Sequence, residues 1–251
     1  MIARHSRRNR MRPFDAVYVI NLPTRRDRRS AMQAQFRKIG VDTRDSRIIF
    51  FDAIRPDDAA GFPTIGARGC FLSHLEVLRA ARAAGHRRVL ILEDDVDFSA
   101  DFPRRLEALA PALDALPWDF LYLGWLHTAH PIGDTRPITT LPAENSAFGA
   151  HMFALTAATI AALVPYLEAI LRRPPGDPEG GPMHVDGAHA WFRRSRPEVR
   201  TLLLTKPIGY QRPSRTDIHE LKWFDRIPAL EPVASSLRWL RGQLKMRLAG
   251  G

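Results

Sequence analysis

The sequence predicts an α/β fold, with a mostly parallel central sheet flanked by helices. Short runs rich in β-branched and aromatic residues alternate with segments whose apolar residues recur at helical spacing, the pattern of successive strand–helix–strand units. Val89-Leu-Ile-Leu92 is apolar throughout, as in a strand covered on both faces. At 251 residues, with 45% hydrophobic and 25% charged side chains, the chain can bury one full core.

Each element has a local cause. Ala16–Leu22 is a strand, dense in β-branched and aromatic residues. Asp27–Ile39 is a helix, with Met32, Phe36 and Ile39 on one stripe and Gly40 as its stop. Arg47–Ala53 is a second strand. Cys70–Ala84 is a helix closed by Gly85, and it leads directly into the strand Val89–Leu92. Residues 101–115 form a helix and Trp118–Gly124 a strand. Residues 126–147 lack periodicity and read as loop. Met152–Leu155 and Ala157–Leu171 are a strand and an apolar helix. The glycines and prolines of Arg172–Pro182 exclude regular structure there. Gly187–Arg193 reads as a helix and Leu202–Leu204 as a last strand.

Composition narrows the class. No apolar run is long enough to span a bilayer, and the first twelve residues carry charge without the apolar core of a secretory signal. A single cysteine, Cys70, rules out an internal disulfide and suits a reducing compartment, so a cytoplasmic location is expected. The net charge of +10 sits in the tails. Arg4, Arg7, Arg8, Arg10 and Arg12 at one end, and Arg238, Arg241, Lys245 and Arg247 at the other, have no acid among them. The body between is nearly neutral. Basic tails of this kind fit an anionic membrane surface better than nucleic acid, which is not expected as a partner. The expected organisation is a basic disordered arm over residues 1–13, a folded domain over 14–225 and a basic amphipathic tail over 226–251.

Chemistry is concentrated at the end of the Val89–Leu92 strand, where Glu93, Asp94 and Asp95 follow one another. Three adjacent anions are costly unless a positive charge sits among them, and hard carboxylate oxygens suit Mn²⁺ or Mg²⁺. Ligands in open α/β sheets bind beyond the carboxyl ends of strands. Alternation along an extended chain puts Glu93 and Asp95 on one face and Asp94 on the other. Asp95 is the expected metal ligand with Glu93 beside it, and Asp95-Val-Asp97 makes a second acidic pair on that face. The alternative is a solvated acidic turn.

Five segments in order resemble glycosyltransferase family 25, the bacterial lipooligosaccharide galactosyltransferases and their collagen-modifying relatives. They are Val19-Ile-Asn-Leu-Pro-Thr-Arg-Arg-Asp-Arg-Arg29, Gly69-Cys-Phe-Leu-Ser-His74, Leu92-Glu-Asp-Asp-Val96, Trp118-Asp-Phe-Leu-Tyr-Leu-Gly124 and Gly149-Ala-His-Met-Phe-Ala-Leu155. Val185-Asp186 and Gln211…Asp217-Ile218 follow in the same order. The resemblance implies a GT-A-like single domain, a divalent metal and inverting transfer of a hexose, galactose first, from a UDP-sugar to a hydroxyl of a glycan or lipid-linked acceptor. It further implies donor contacts from Asn21, Leu22, Arg25, Arg28, Ser73, His74, Glu93, Asp94 and Gln211, with Arg212, Ser214 and Asp217 in a flap over the donor. Asp186 is the expected general base, with a helix cap as the alternative. His184 and His189 are lesser competitors for the same role, His151 is a candidate late metal or phosphate ligand, and the spacing of His127 and His130 could bind metal, the alternative being solvated loop histidines. One departure stands out: family members often carry an acid within the Gly-x-x-Gly before the cysteine, and Gly66-Ala-Arg-Gly69 has none.

The C-terminus has a pattern of its own. Leu237, Leu240, Leu244 and Leu248 recur at helical spacing, flanked by Arg238, Arg241, Lys245 and Arg247. This is either a helix lying in a membrane interface on the inner face of the cytoplasmic membrane or one packed on the domain.

Overall fold

The computed structural model describes residues 11–128, 136–149 and 151–212. The expected tail helix, His130, Ser214 and Asp217 lie outside the described residues. Chain order runs β1 (Ala16–Asn21), α1 (Arg26–Lys38), β2 (Ile48–Asp52), α2 (Ile65–Ala83), β3 (Arg88–Glu93), β4 (Val96–Phe98), α3 (Phe102–Ala115) and β5 (Phe120–Gly124). It continues through β6 (His127–Thr128), β7 (Ile138–Thr140), β8 (Ala147–Phe148), β9 (Met152–Thr156), α4 (Ala157–Arg172), α5 (Val185–Ser195), β10 (Thr201–Leu204) and β11 (Gly209–Gln211).

The architecture is the expected α/β one. A seven-stranded sheet has the order β2-β1-β3-β9-β5-β10-β7. Pairing is parallel for β1 with β2, β1 with β3 and β5 with β10, while β9 and β7 run against their neighbours. Most strands therefore share one direction. Alternation along each strand divides the core. Tyr18, Ile91, Tyr122 and Phe153 face a layer built with Phe71 and Leu75 of α2, Leu163 of α4 and Phe192 of α5. Val19, Leu92, Leu121 and Ala154 face the other layer, built with Phe36 of α1 and Leu106 of α3. Met11 is buried in that second layer. Both faces being covered explains why these strands read as unbroken apolar runs.

Several elements differ from the sequence expectation. α2 begins at Ile65 rather than Cys70, because Thr64 caps it by accepting from the Ala67 N–H. The loop-like stretch after β5 contains the short strands β6, β7 and β8. β4 and β11, three residues each, pair antiparallel with Gln211 opposite Val96, a tertiary pairing too short to register in either local pattern.

β1 leads by α1 outward to β2, and the chain returns by α2 to β3 on the other side of β1. The crevice of an α/β sheet opens where strand order reverses in this way. Asn21 lies opposite Asp52 at the end of β1, and Ile20 opposite Glu93 at the end of β3. The carboxyl ends of these strands converge on that crevice.

Candidate functional site

A cavity of about 320 Å³ opens at this switch point. Leu22 and Arg25 from the β1–α1 connection and Arg28 from the first turn of α1 line one side, and Glu93, Asp94 and Asp95 line another. Cys70 and Ser73 of α2 contribute, together with Ala53, Ile54, Arg55 and Pro56 from the β2–α2 connection and Ile65 and Gly66 from the start of α2. The segment 53–56 and the first turn of α2 are lining residues that the sequence reading missed. The signal for the turn was present, since Pro63-Thr64 before an apolar residue is a helix-start pattern.

Extended structure stops at Glu93, and Asp94-Asp95 form a turn before β4. The expected alternation of faces therefore ends there, and Asp94 and Asp95 point the same way. Arg28 demonstrates it: its Nη1 lies 2.9 Å from Asp94 Oδ1 and 3.8 Å from Asp95 Oδ2. Arg28 is 13% exposed and Asp94 8%, so this is a largely desolvated ion pair. Asn21 Nδ2 donates to Asp94 Oδ2 at 2.6 Å and to the Arg25 carbonyl at 3.3 Å. Arg25 pairs with Asp27 at 2.9 Å.

The three carboxylates stand in different fields. Burial pushes Asp94 up, against the pull of Arg28 and Asn21. Burial, then the charge of Glu93, pushes Asp95 up to about 7. Burial also opposes the ionisation of Glu93, yet His74, His151 and Arg28 together hold it below its ordinary value. His74 Nε2 sits 3.5 Å from Glu93 Oε1. The positive charge among the anions is thus supplied in part by the protein. Asp95 Oδ1 nonetheless remains buried with no hydrogen-bond partner among the described residues. A hard divalent ion fits that atom, because a cation satisfies an oxygen that no donor among the described residues reaches.

β11 closes the turn from the far side. The Arg212 N–H donates to the Asp95 carbonyl at 2.7 Å, and Gln211 Nε2 reaches Asp95 Oδ2 at 3.4 Å. Asp97 is taken up by Arg212 Nη2 and Gln35 Nε2, each at 2.6 Å. Ser73 ties α2 to the strand ends by accepting from the Ile54 N–H at 2.8 Å and donating to the Gly69 carbonyl at 2.6 Å.

Asp186 stands in the first turn of α5, which begins at Val185 with His184 at the cap position. Its Oδ2 accepts from the Gly149 N–H at 3.3 Å and its Oδ1 from the Gly187 N–H at 2.8 Å. It does not line the cavity wall described above; burial, then the charges of Glu93 and Asp186, raise the Cys70 thiol. His151 is buried beneath the site: its carbonyl accepts from the Glu93 N–H at 3.0 Å, and Nε2 lies 3.3 Å from the Gly209 carbonyl. Burial lowers its pKa, as it does that of His189. His127 stacks on Phe148 in the separate two-stranded β6–β8 sheet.

Residues 14–145 match the family profile described as "Glycosyltransferase family 25 (LPS biosynthesis protein)". This segment carries the arginines, α2 and the three carboxylates, whereas Asp186 and Gln211 lie beyond it. Among known proteins, the human "Inactive glycosyltransferase 25 family member 3" is 38% identical over 141 residues, covering 49% of this chain and 24% of that protein. A "Glycosyltransferase 25 family member" of Aedes aegypti is 33% identical over 125 residues, 43% of this chain and 21% of that one. "Procollagen galactosyltransferase 1-B" of Xenopus laevis is 30% identical over 129 residues, 44% and 21% respectively. The chain thus spans less than a quarter of the length of these relatives. Among the described residues, no helix is long and apolar enough to cross a membrane. With its opening strand, Arg-rich turn and acidic strand end inside the matched segment, the chain belongs to glycosyltransferase family 25.

Proposed function

We propose that this chain is a metal-dependent inverting glycosyltransferase that moves a hexose, galactose first, from a UDP-sugar to a hydroxyl of a glycan or lipid-linked acceptor. The supporting observation is the cavity at the β1/β3 switch point, where guanidinium and carboxylate groups face one space. Arg25 and Arg28 are suited to the diphosphate, since their planar forks match phosphate oxygens. Asp95 and Glu93 would hold Mn²⁺ or Mg²⁺, which supplies electrostatic stabilisation of the leaving diphosphate. Leu22, Asn21, Ser73 and the segment 53–56 would position the nucleoside and sugar, and Gln211 would steady Asp95. Asp186 would take the proton of the acceptor hydroxyl, a carboxylate being suited to that role.

The test is calorimetric titration of UDP with and without Mn²⁺, on the wild-type chain and on Asp95→Asn. Binding that needs the ion and is lost in a folded variant supports the assignment. Metal-independent binding of equal strength in both proteins would sink it. The human relative, inactive by name, favours a second reading: a module that binds a nucleotide-sugar without turning it over. Donor binding without release of UDP distinguishes the two. Release of pyrophosphate or inorganic phosphate would instead mark a nucleotidyltransferase or phosphohydrolase. A cytoplasmic site of action at the inner membrane face, held by the basic tails, belongs to the same proposal.

A further inference from the structure

Cys70 and His74 lie four residues apart on α2, so their side chains share one face of the helix. That face meets the end of β3. Cys70 Sγ lies 3.8 Å from Glu93 Oε1, and His74 Nε2 lies 3.5 Å from the same oxygen. One ligand atom from each of the three residues falls within 4.8 Å of the others. Tetrahedral zinc with ordinary bond lengths separates sulfur from oxygen by about 3.6 Å and nitrogen from oxygen by about 3.4 Å. Both edges are present to within a few tenths of an ångström. A second observation points to a ligand independently. His74 is fully buried, and among the described residues its Nδ1 has no partner and its Nε2 makes no hydrogen bond, only the 3.5 Å contact with Glu93. Leaving such a group unsatisfied is costly.

We propose that Cys70, His74 and Glu93 form a site for a thiophilic divalent cation of the zinc type, distinct from the all-oxygen site at Asp95. The sulfur–nitrogen–oxygen donor set suits a borderline-soft ion, whereas Mn²⁺ and Mg²⁺ prefer oxygen alone. Binding replaces the S–H bond by a sulfur–metal bond and releases the proton to solvent. Cys70 and Glu93 both line the cavity, so the site sits at its wall. Glu93 is common to both sites, and a zinc-type ion therefore withdraws it from the acidic turn. Nothing in the site itself requires glycosyl transfer.

Cobalt tests this without reference to activity. Co²⁺ is titrated into the reduced, tag-free full chain after treatment with a chelator. Cys70 is the single cysteine of the chain, so sulfur-to-cobalt charge-transfer absorption can come only from it. The expected result is a near-ultraviolet charge-transfer band with the intense visible bands of four-coordinate cobalt, displaced by Zn²⁺. The charge-transfer band disappears in Cys70→Ser, weakens at least tenfold in apparent affinity in Glu93→Gln, where the thiol is kept, and persists in Asp95→Asn. Circular dichroism and thermal melts establish that each variant is folded. Absence of the band in the wild-type chain overturns the proposal. So does its loss in folded Asp95→Asn, or its survival at full affinity in Glu93→Gln.

Discussion

Asp95 is held in a state that an isolated carboxylate would not adopt. Burial and the charge of Glu93 raise it to about 7 from an ordinary value near 3.8, against Arg28 and Gln211. A raised folded value means that the fold binds the proton more tightly than the unfolded chain does. The contribution of this group is therefore fully present below about pH 4 and is lost as pH climbs toward about 7. Metal-free protein should show that loss in thermal melts, and Mn²⁺ should raise the melting temperature more at pH 8 than at pH 5, because proton and ion compete for one carboxylate. Asp95→Asn should flatten both trends; an unchanged pH profile in that variant would assign them to other groups. At Asp186 the expectation is kinetic. Asp186→Asn should lower kcat by about a hundredfold or more with UDP affinity unchanged, the usual scale for a lost general base. Retained activity with a lower melting temperature would leave Asp186 only the roles of a first-turn acid on α5 and a partner of the Gly149 N–H.

At the scale of elements, α2 carries the most information. Its first turn escapes a reading based on periodicity because Gly66 and Gly69 interrupt it, yet Gly69 packs tightly against the β2–α2 connection. A Cβ there would lie 2.7 Å from the Ile54 carbonyl oxygen and 3.1 Å from Pro56 Cδ. Alanine is intrinsically the better helix former by about 1 kcal/mol. Contact with a backbone oxygen should override that preference, and Gly69→Ala should lose about 1–3 kcal/mol in urea unfolding. A variant as stable as the wild type would mean that the crossing can relax. The strands around α2 were legible as apolar, β-branched runs and the helices by their 3.6-residue spacing. The β4–β11 pair was not, since neither segment has enough residues to show one. The pair brings Gln211 and Arg212 against the acidic turn.

For the whole molecule, the sheet order places the carboxyl ends of β1, β2 and β3 together, and from that follows the crevice lined by Leu22, Arg25, Arg28, Ser73, Glu93, Asp94 and Asp95. The tails are a separate matter. The leucine and arginine pattern of residues 236–248 predicts that full-length protein co-sediments with anionic liposomes more strongly than a chain ending at Val233. Equal sedimentation of the two, or none by either, would remove the tail as an anchor. Loss of solubility on truncation would mean that the leucines pack on the domain.

Local pattern alone determined the α/β class, nearly every major element and the acidic strand end beside the cavity, because burial on two faces and a run of carboxylates are written in consecutive residues. Tertiary structure decided what those residues do to one another. The turn at Asp94-Asp95 puts two carboxylates on one guanidinium, where an extended chain would have separated them. The crossover of α2 brings a thiol and an imidazole against Glu93. Charge and coordination depend on distances between side chains far apart in sequence, and those distances are set by packing.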